Sequence, residues 1–163
     1  MGRYSAARDL DLSTKAKWYV VANRTEAVIY EDNDEQKFKF VNRLENKSGA
    51  KTETELSSDK PGKVISRGGS KTIHHSLDSR FHKHEESAKK FARRIAVQVE
   101  RAYREKRFRN LILAAEPHFL GLLRGVLSKN VLSSVEHEVH REYINRSDLN
   151  LRRNLLKGIK AEK

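Results

Sequence analysis

No cysteine occurs among the 163 residues. A disulfide framework, a thiol nucleophile and thiolate metal ligation are thereby excluded, and a reducing compartment suits the chain. No apolar run is long enough to span a bilayer. The segment from Met1 to Lys17 carries Arg3, Arg8, Asp9, Asp11 and Lys15 and lacks the apolar core of a secretory signal. Gly2 follows Met1, but Ala6 stands where a myristoylation signal needs Ser or Thr. Catalytic signatures are missing too. There is no Gly-x-Ser-x-Gly elbow, no Walker A loop, no dinucleotide fingerprint and no His-Glu-x-x-His pair. No internal repeat is present. These absences lead to the expectation of a cytoplasmic protein without a membrane span, a bound cofactor or a metal.

What the chain has in excess is positive charge. The formal net charge is +12, with a pI near 10.0, and charged residues make up 34% of the sequence. The charge is uneven: residues 1–50 carry a net +1, residues 51–110 a net +8 and residues 111–163 a net +3. A field concentrated in the middle third favours an acidic partner such as RNA, DNA or an anionic surface. Solubility alone is the plainer explanation. The length allows one domain with a sizeable core, but not comfortably two.

Residues 1–16 read as a flexible N-terminal arm and residues 17–163 as one α/β domain. Trp18 to Ala22 and Glu26 to Glu31 read as two strands of a hairpin turned by Asn23-Arg24-Thr25. Phe38 and Phe40 share one face of a third strand. Residues 45–83 are rich in Ser and Gly and read as a long mobile loop. Glu85 to Arg107 is a helix with Ala88, Phe91, Ala92, Ile95, Ala96, Val99, Ala102 and Tyr103 along one stripe. Leu111 to Ala115 is a short continuous apolar run, which suits a strand buried on both faces. Glu116-Pro117 breaks it, and proline at a first helical turn loses no needed donor. Leu120, Leu123 and Leu127 follow at helical intervals. Val135 to Tyr143 alternates as a further strand, and Ser147 is a plausible N-cap for a last helix that turns Leu151, Leu155 and Ile159 inward. The expected fold is thus a sheet of about five strands flanked by three helices.

Four groups of residues are candidates for chemistry. Arg67-Gly68-Gly69-Ser70-Lys71, with Lys63 upstream, sets two glycines among cations that could neutralise phosphates; a flexible linker is the alternative. Lys90, Arg93, Arg94, Arg101 and Arg104 lie off the apolar stripe of the main helix and form a second candidate phosphate surface. Aromatic residues are scarce there, which argues against a sequence-specific reader of single strands. Glu116, His118 and Arg124 fall near the carboxyl end of a strand, a common place for binding in α/β folds. Glu116 and His118 could form an acid–base pair, although Glu116 could equally complement the helix dipole. The histidines His74, His75, His82, His84, His137 and His140 read as solvated rather than as a metal site.

Several segments together resemble the bacterial host attachment protein family. They are Trp18-Tyr19-Val20-Val21-Ala22 with Ala27-Val28-Ile29-Tyr30, Ser58-Asp59-Lys60-Pro61-Gly62-Lys63, His84-Glu85-Glu86 leading into Phe91-Ala92, and Ala115-Glu116-Pro117-His118-Phe119-Leu120-Gly121-Leu122-Leu123-Arg124. The resemblance runs from about residue 17 to the C-terminus. That family is in turn similar to the central domains of eukaryotic and archaeal class-1 release factors and their ribosome-rescue relatives. This implies a mixed α/β sheet flanked by helices and a catalytic loop ahead of a long basic helix. Release factors carry Gly-Gly-Gln in that loop. Gly68 and Gly69 stand in the matching place, but Ser70 is shorter than Gln and has no amide to place a water. The resemblance therefore implies a non-enzymatic ribosome- or RNA-associated protein. A host-cell attachment factor, direct or indirect, is the alternative, and a hydrolase using Glu116 and His118 a weaker one. The oligomeric state stays open.

Overall fold

The computed structural model describes residues 16–32, 38–49, 72–144 and 148–162, with the side chains of residues 72–78, 148 and 149 excepted. Among the described residues, five strands and four helices follow in the order β1 (Lys17–Ala22), β2 (Glu26–Asp32), β3 (Phe38–Glu45), α1 (Thr72–Arg104), β4 (Asn110–Ala114), α2 (Pro117–Val126), α3 (Lys129–Ser133), β5 (Val135–Val139) and α4 (Asp148–Ala161). They build one mixed α/β domain. Its sheet has the order β3-β2-β1-β4-β5. β1, β2 and β3 form an antiparallel meander, whereas β1, β4 and β5 run parallel.

Strand alternation divides the core in two. Trp18, Val20 and Ala22 of β1 and Leu111 and Leu113 of β4 pack with Phe91, Ile95, Val99, Phe119, Leu120 and Leu123 of α1 and α2. Tyr19, Val21, Ile112 and Ala114 pack on the opposite face with Leu151 and Leu155 of α4. β1 and β4 are therefore covered on both faces, as the apolar run of Leu111 to Ala115 led one to expect for β4. Each fully buried Leu, Ile or Phe contributes about 1.5–3 kcal/mol. A register shift between Ile29 and Tyr30 leaves Val41 opposite no residue of β2. Val41 packs on the α1 side, while Phe38 and Phe40 both meet Tyr30 on the α4 side.

Two expectations need correction. The loop expected over 45–83 does not extend that far, because β3 continues to Glu45 and α1 already starts at Thr72. Residues 72–84 contain no Gly or Pro, Ile73, Leu77 and Phe81 recur at the four-residue spacing of a helix, and extending a nucleated helix is inexpensive. The remainder of that loop, 50–71, lies outside the described residues. The helix also ends earlier than expected, at Arg104 rather than Arg107. Lys106 takes a φ of 54°, and the N–H groups of Lys106 and Arg107 donate to the carbonyls of Tyr103 and Ala102 at 3.0 and 2.9 Å. This pair of reversed bonds is the Schellman stop.

A fourth helix, α3, was also not expected. It is only one turn long and is capped by Ser128, whose Oγ accepts from the Val131 N–H at 3.3 Å. Of the N-terminal arm only Ala16 is described. It is buried, and its carbonyl accepts from the Arg109 N–H at 3.0 Å.

Candidate functional site

Because β1, β4 and β5 are parallel, the residues that follow them meet at one end of the sheet. Asn23-Arg24 follow β1, Ala115-Glu116 follow β4, and His140 to Glu142 follow β5. The hairpin turn that carries Arg24 is held from within. Asn23 Oδ1 accepts from the N–H groups of Thr25 and Glu26 at 2.9 and 2.8 Å, an Asx turn. Asn23 Nδ2 donates to Glu142 Oε1 at 2.6 Å, which ties the turn to the segment after β5. On the other side, the buried Asn46 donates through its N–H to Thr25 O at 2.7 Å and through Nδ2 to Arg24 O at 2.9 Å and Ser87 Oγ at 3.0 Å.

From this fixed turn the Arg24 side chain reaches two residues of the strand-to-helix junction. Its Nε donates to Glu116 Oε1 at 2.9 Å and its Nη2 lies 3.3 Å from His118 Nδ1. His118 Nε2 is 3.3 Å from Glu85 Oε2 of α1. A guanidinium can only donate, so His118 Nδ1 accepts and Nε2–H points to Glu85. The result is a chain Glu116–Arg24–His118–Glu85 linking β1, α2 and α1. Glu116 occupies the N-cap position of α2 but makes no side-chain cap bond, because its carboxylate is turned to Arg24.

The candidate trio Glu116, His118 and Arg124 is only partly brought together. Arg124 turns away, with its Nη1 3.4 Å from Glu138 Oε2 of β5. Glu116 and His118 are joined through Arg24 rather than to each other. With both ring nitrogens of His118 engaged, the arrangement offers no unengaged imidazole base. The sequence reading missed Arg24 and Glu85. Pairing β1 in parallel beside β4 was the signal that would have found Arg24; Glu85 stood in the His84-Glu85-Glu86 segment of the family resemblance but was not read as a site residue.

The cations of α1 form a second feature. Lys90, Arg93, Arg94, Arg101 and Arg104 are all exposed. Together with Lys83 they recur at the three-, four- and seven-residue spacings of one helix face, opposite the buried stripe. From Lys83 to Arg104 this row is about 32 Å long at the rise of an α-helix. Arg94 is held by the Glu45 carbonyl at 2.9 Å and lies over the Phe91 ring, 5.6 Å from its centroid. Arg101 pairs with Glu105 at 2.9 Å. Lys63, Arg67, Gly68, Gly69, Ser70 and Lys71 lie outside the described residues.

The histidines do not converge. His140 pairs with Glu162, just past the end of α4, at 3.2 Å, and His137 lies 3.7 Å from Glu136. Among the described residues no three His, Asp or Glu side chains come together as metal ligands would, and no helix is long and apolar enough to cross a membrane. The side chains of His74 and His75 are outside the described set.

Among solved structures the chain is similar to an archaeal translation termination factor, aRF1, with 10% identity and a TM-score of 0.45 over 91% of this chain and 40% of that chain. It is similar to the same degree to a structure described as an archaeal protein, of which it covers 39%. The chain thus spans about two fifths of the length of these structures. No curated protein matches its sequence. The family model described as "Protein required for attachment to host cells" matches residues 18–155, most of the chain, and the protein belongs to that family.

Proposed function

We propose that this protein is a cytoplasmic, non-enzymatic factor that associates with RNA or the ribosome through the cationic face of α1. The observation that carries this reading is the single row formed by Lys90, Arg93, Arg94, Arg101 and Arg104, exposed along one side of a long helix. A mainly cationic row, in which Arg101 is paired with Glu105, suits the regularly spaced charges of a phosphate backbone, and contact to it releases counterions. Lys63, Arg67 and Lys71, with Gly68, Gly69 and Ser70 between them, are the second proposed contact. Among the described residues no unengaged base stands beside Glu116, which supports a binding role over the hydrolase reading.

Co-sedimentation with ribosomes at low and moderate salt tests the proposal. Binding that falls steeply with salt, and that Arg93→Gln/Arg101→Gln/Arg104→Gln weakens, is the expected result. No co-sedimentation at low salt would overturn it. The family description favours a second reading, a factor for attachment to host cells that acts at the surface or indirectly. Fractionation of intact cells separates the two: protein found chiefly on the outer surface supports attachment by direct contact.

A further inference from the structure

A groove of about 530 Å³ lies beside the strand-end cluster, between α1 and the turn that follows β3. Its floor is made by Asn46, Ser87 and Phe91, and three cations, Lys83, Lys90 and Arg94, line it with Ser48 and His82. We infer that this groove is a binding site for a nucleotide phosphate, with Lys83, Lys90 and Arg94 holding the phosphate oxygens. The inference deepens the phosphate reading of α1, because Lys90 and Arg94 belong to both.

Three observations support it. First, the wall is rigid where it must be. The Asn46 side chain is pinned to Arg24 O and Ser87 Oγ, and Gly49 closes the turn so tightly that a Cβ there would lie 2.7 Å from Arg24 O and from Asn46 Nδ2. Second, Arg94 is already oriented by the Glu45 carbonyl and the Phe91 ring, so little side-chain freedom is left to lose on binding. Third, cations outnumber carboxylates in the groove. Among the described residues Glu86 is the one carboxylate that lines it, and it pairs with Lys89 at 3.8 Å. Among the described residues no carboxylate pairs with Lys83 or Lys90. Three cations lining one groove, with the Ser48 hydroxyl beside them, match a phosphate better than a carboxylate, which needs fewer donors. The volume lies within the range of small-molecule sites, with room for a nucleoside beyond the phosphate.

The phosphate can come from a free nucleotide or from an RNA chain, and titration distinguishes the sources. The full chain is titrated at low salt with a 5′-nucleoside monophosphate, with inorganic phosphate and with a short oligoribonucleotide lacking terminal phosphates. Calorimetry and amide chemical shifts report binding. Lys83→Gln/Lys90→Gln alters the groove, and Lys157→Gln/Lys160→Gln removes the same charge from α4 on the other side of the sheet. Both variants should keep the parent's thermal melting.

The expected result is saturable binding with shifts confined to residues 46–49 and 82–94. The groove variant should bind about tenfold more weakly, the effect of losing charged hydrogen bonds, and the α4 variant within about twofold of the parent. Preference for the monophosphate identifies a free nucleotide as the source, and preference for the oligoribonucleotide identifies RNA. Absence of saturable binding by all three probes, or equal weakening in both variants, would overturn the site. Ribosome co-sedimentation of the same chains keeps the two failures apart. Nucleotide binding without ribosome binding defeats the ribosome proposal and leaves the groove. Ribosome binding with no probe bound defeats the groove alone.

Discussion

Burial pushes the Tyr19 phenol up to about 12, and the Asp32 carboxylate adds to the effect while Arg152 opposes it. Tyr19 donates to Asp32 Oδ2 at 3.5 Å, and Arg152 Nη2 reaches the same oxygen at 3.3 Å. The folded state therefore keeps the phenol proton more tightly than the unfolded chain, whose tyrosine ionises near its ordinary value of 10.0. The stabilisation is fully present below pH 10 and is lost as pH rises toward 12. Between pH 9 and 12 the native protein should lose about 2 kcal/mol more stability than Tyr19→Phe, as read from urea unfolding at each pH. Equal losses would show that Tyr19 is not the group concerned. Arg24 calls for the opposite expectation. Its pair with Glu116 is roughly 40% exposed on both sides, so Arg24→Ala should lower stability by no more than about 1 kcal/mol in the same assay. A larger loss would mean that the strand-end cluster holds the fold together.

The elements differ in how openly they are written. β1, β2 and β4 follow from unbroken apolar runs, and α2 from Pro117 at its first position, because these signals are local and steric. The start of α1 was missed: Ile73, Leu77 and Phe81 recur there at helical spacing, but the polar residues between them and the Ser- and Gly-rich stretch before them read as loop. Its end was hidden too, because the stop is made by Lys106 rather than by a glycine. In the candidate site, Glu116 and His118 were visible at a strand end. Arg24 was not, because its neighbourhood depends on β1 and β4 lying side by side, a pairing that residues distant in sequence decide. The cations of α1 were named from sequence, and helix geometry gathers them on one face. On the other side of the sheet, Gly158 lets α4 approach: a Cβ there would lie 2.6 Å from Tyr143 Oη and 2.9 Å from Val139 Cγ1. Alanine normally favours a helix over glycine by about 1 kcal/mol. Here overpacking of about 1–3 kcal/mol should win, so Gly158→Ala should lower the unfolding midpoint and expose the amides of α4 to faster exchange. A raised midpoint would contradict this packing.

At the scale of the whole molecule, the sheet separates two roles. α4 closes the face built on Tyr19, Ile112 and Val139, while α1, α2 and α3 cover the other and α1 turns its cations outward. Changing those cations should leave the fold intact, since none of Arg93, Arg101 and Arg104 is buried. Arg93→Gln/Arg101→Gln/Arg104→Gln should therefore unfold within about 0.5 kcal/mol of the parent. The central claim is that this face binds RNA phosphate, and the salt dependence of ribosome binding by the parent and this triple variant tests it most directly. The account predicts that affinity falls with salt along a linear log–log line. The slope should shrink in the variant by about 0.7–0.9 for each phosphate contact removed. A parent that binds ribosomes with no dependence on salt, or a variant with the parent's slope and affinity, would contradict it.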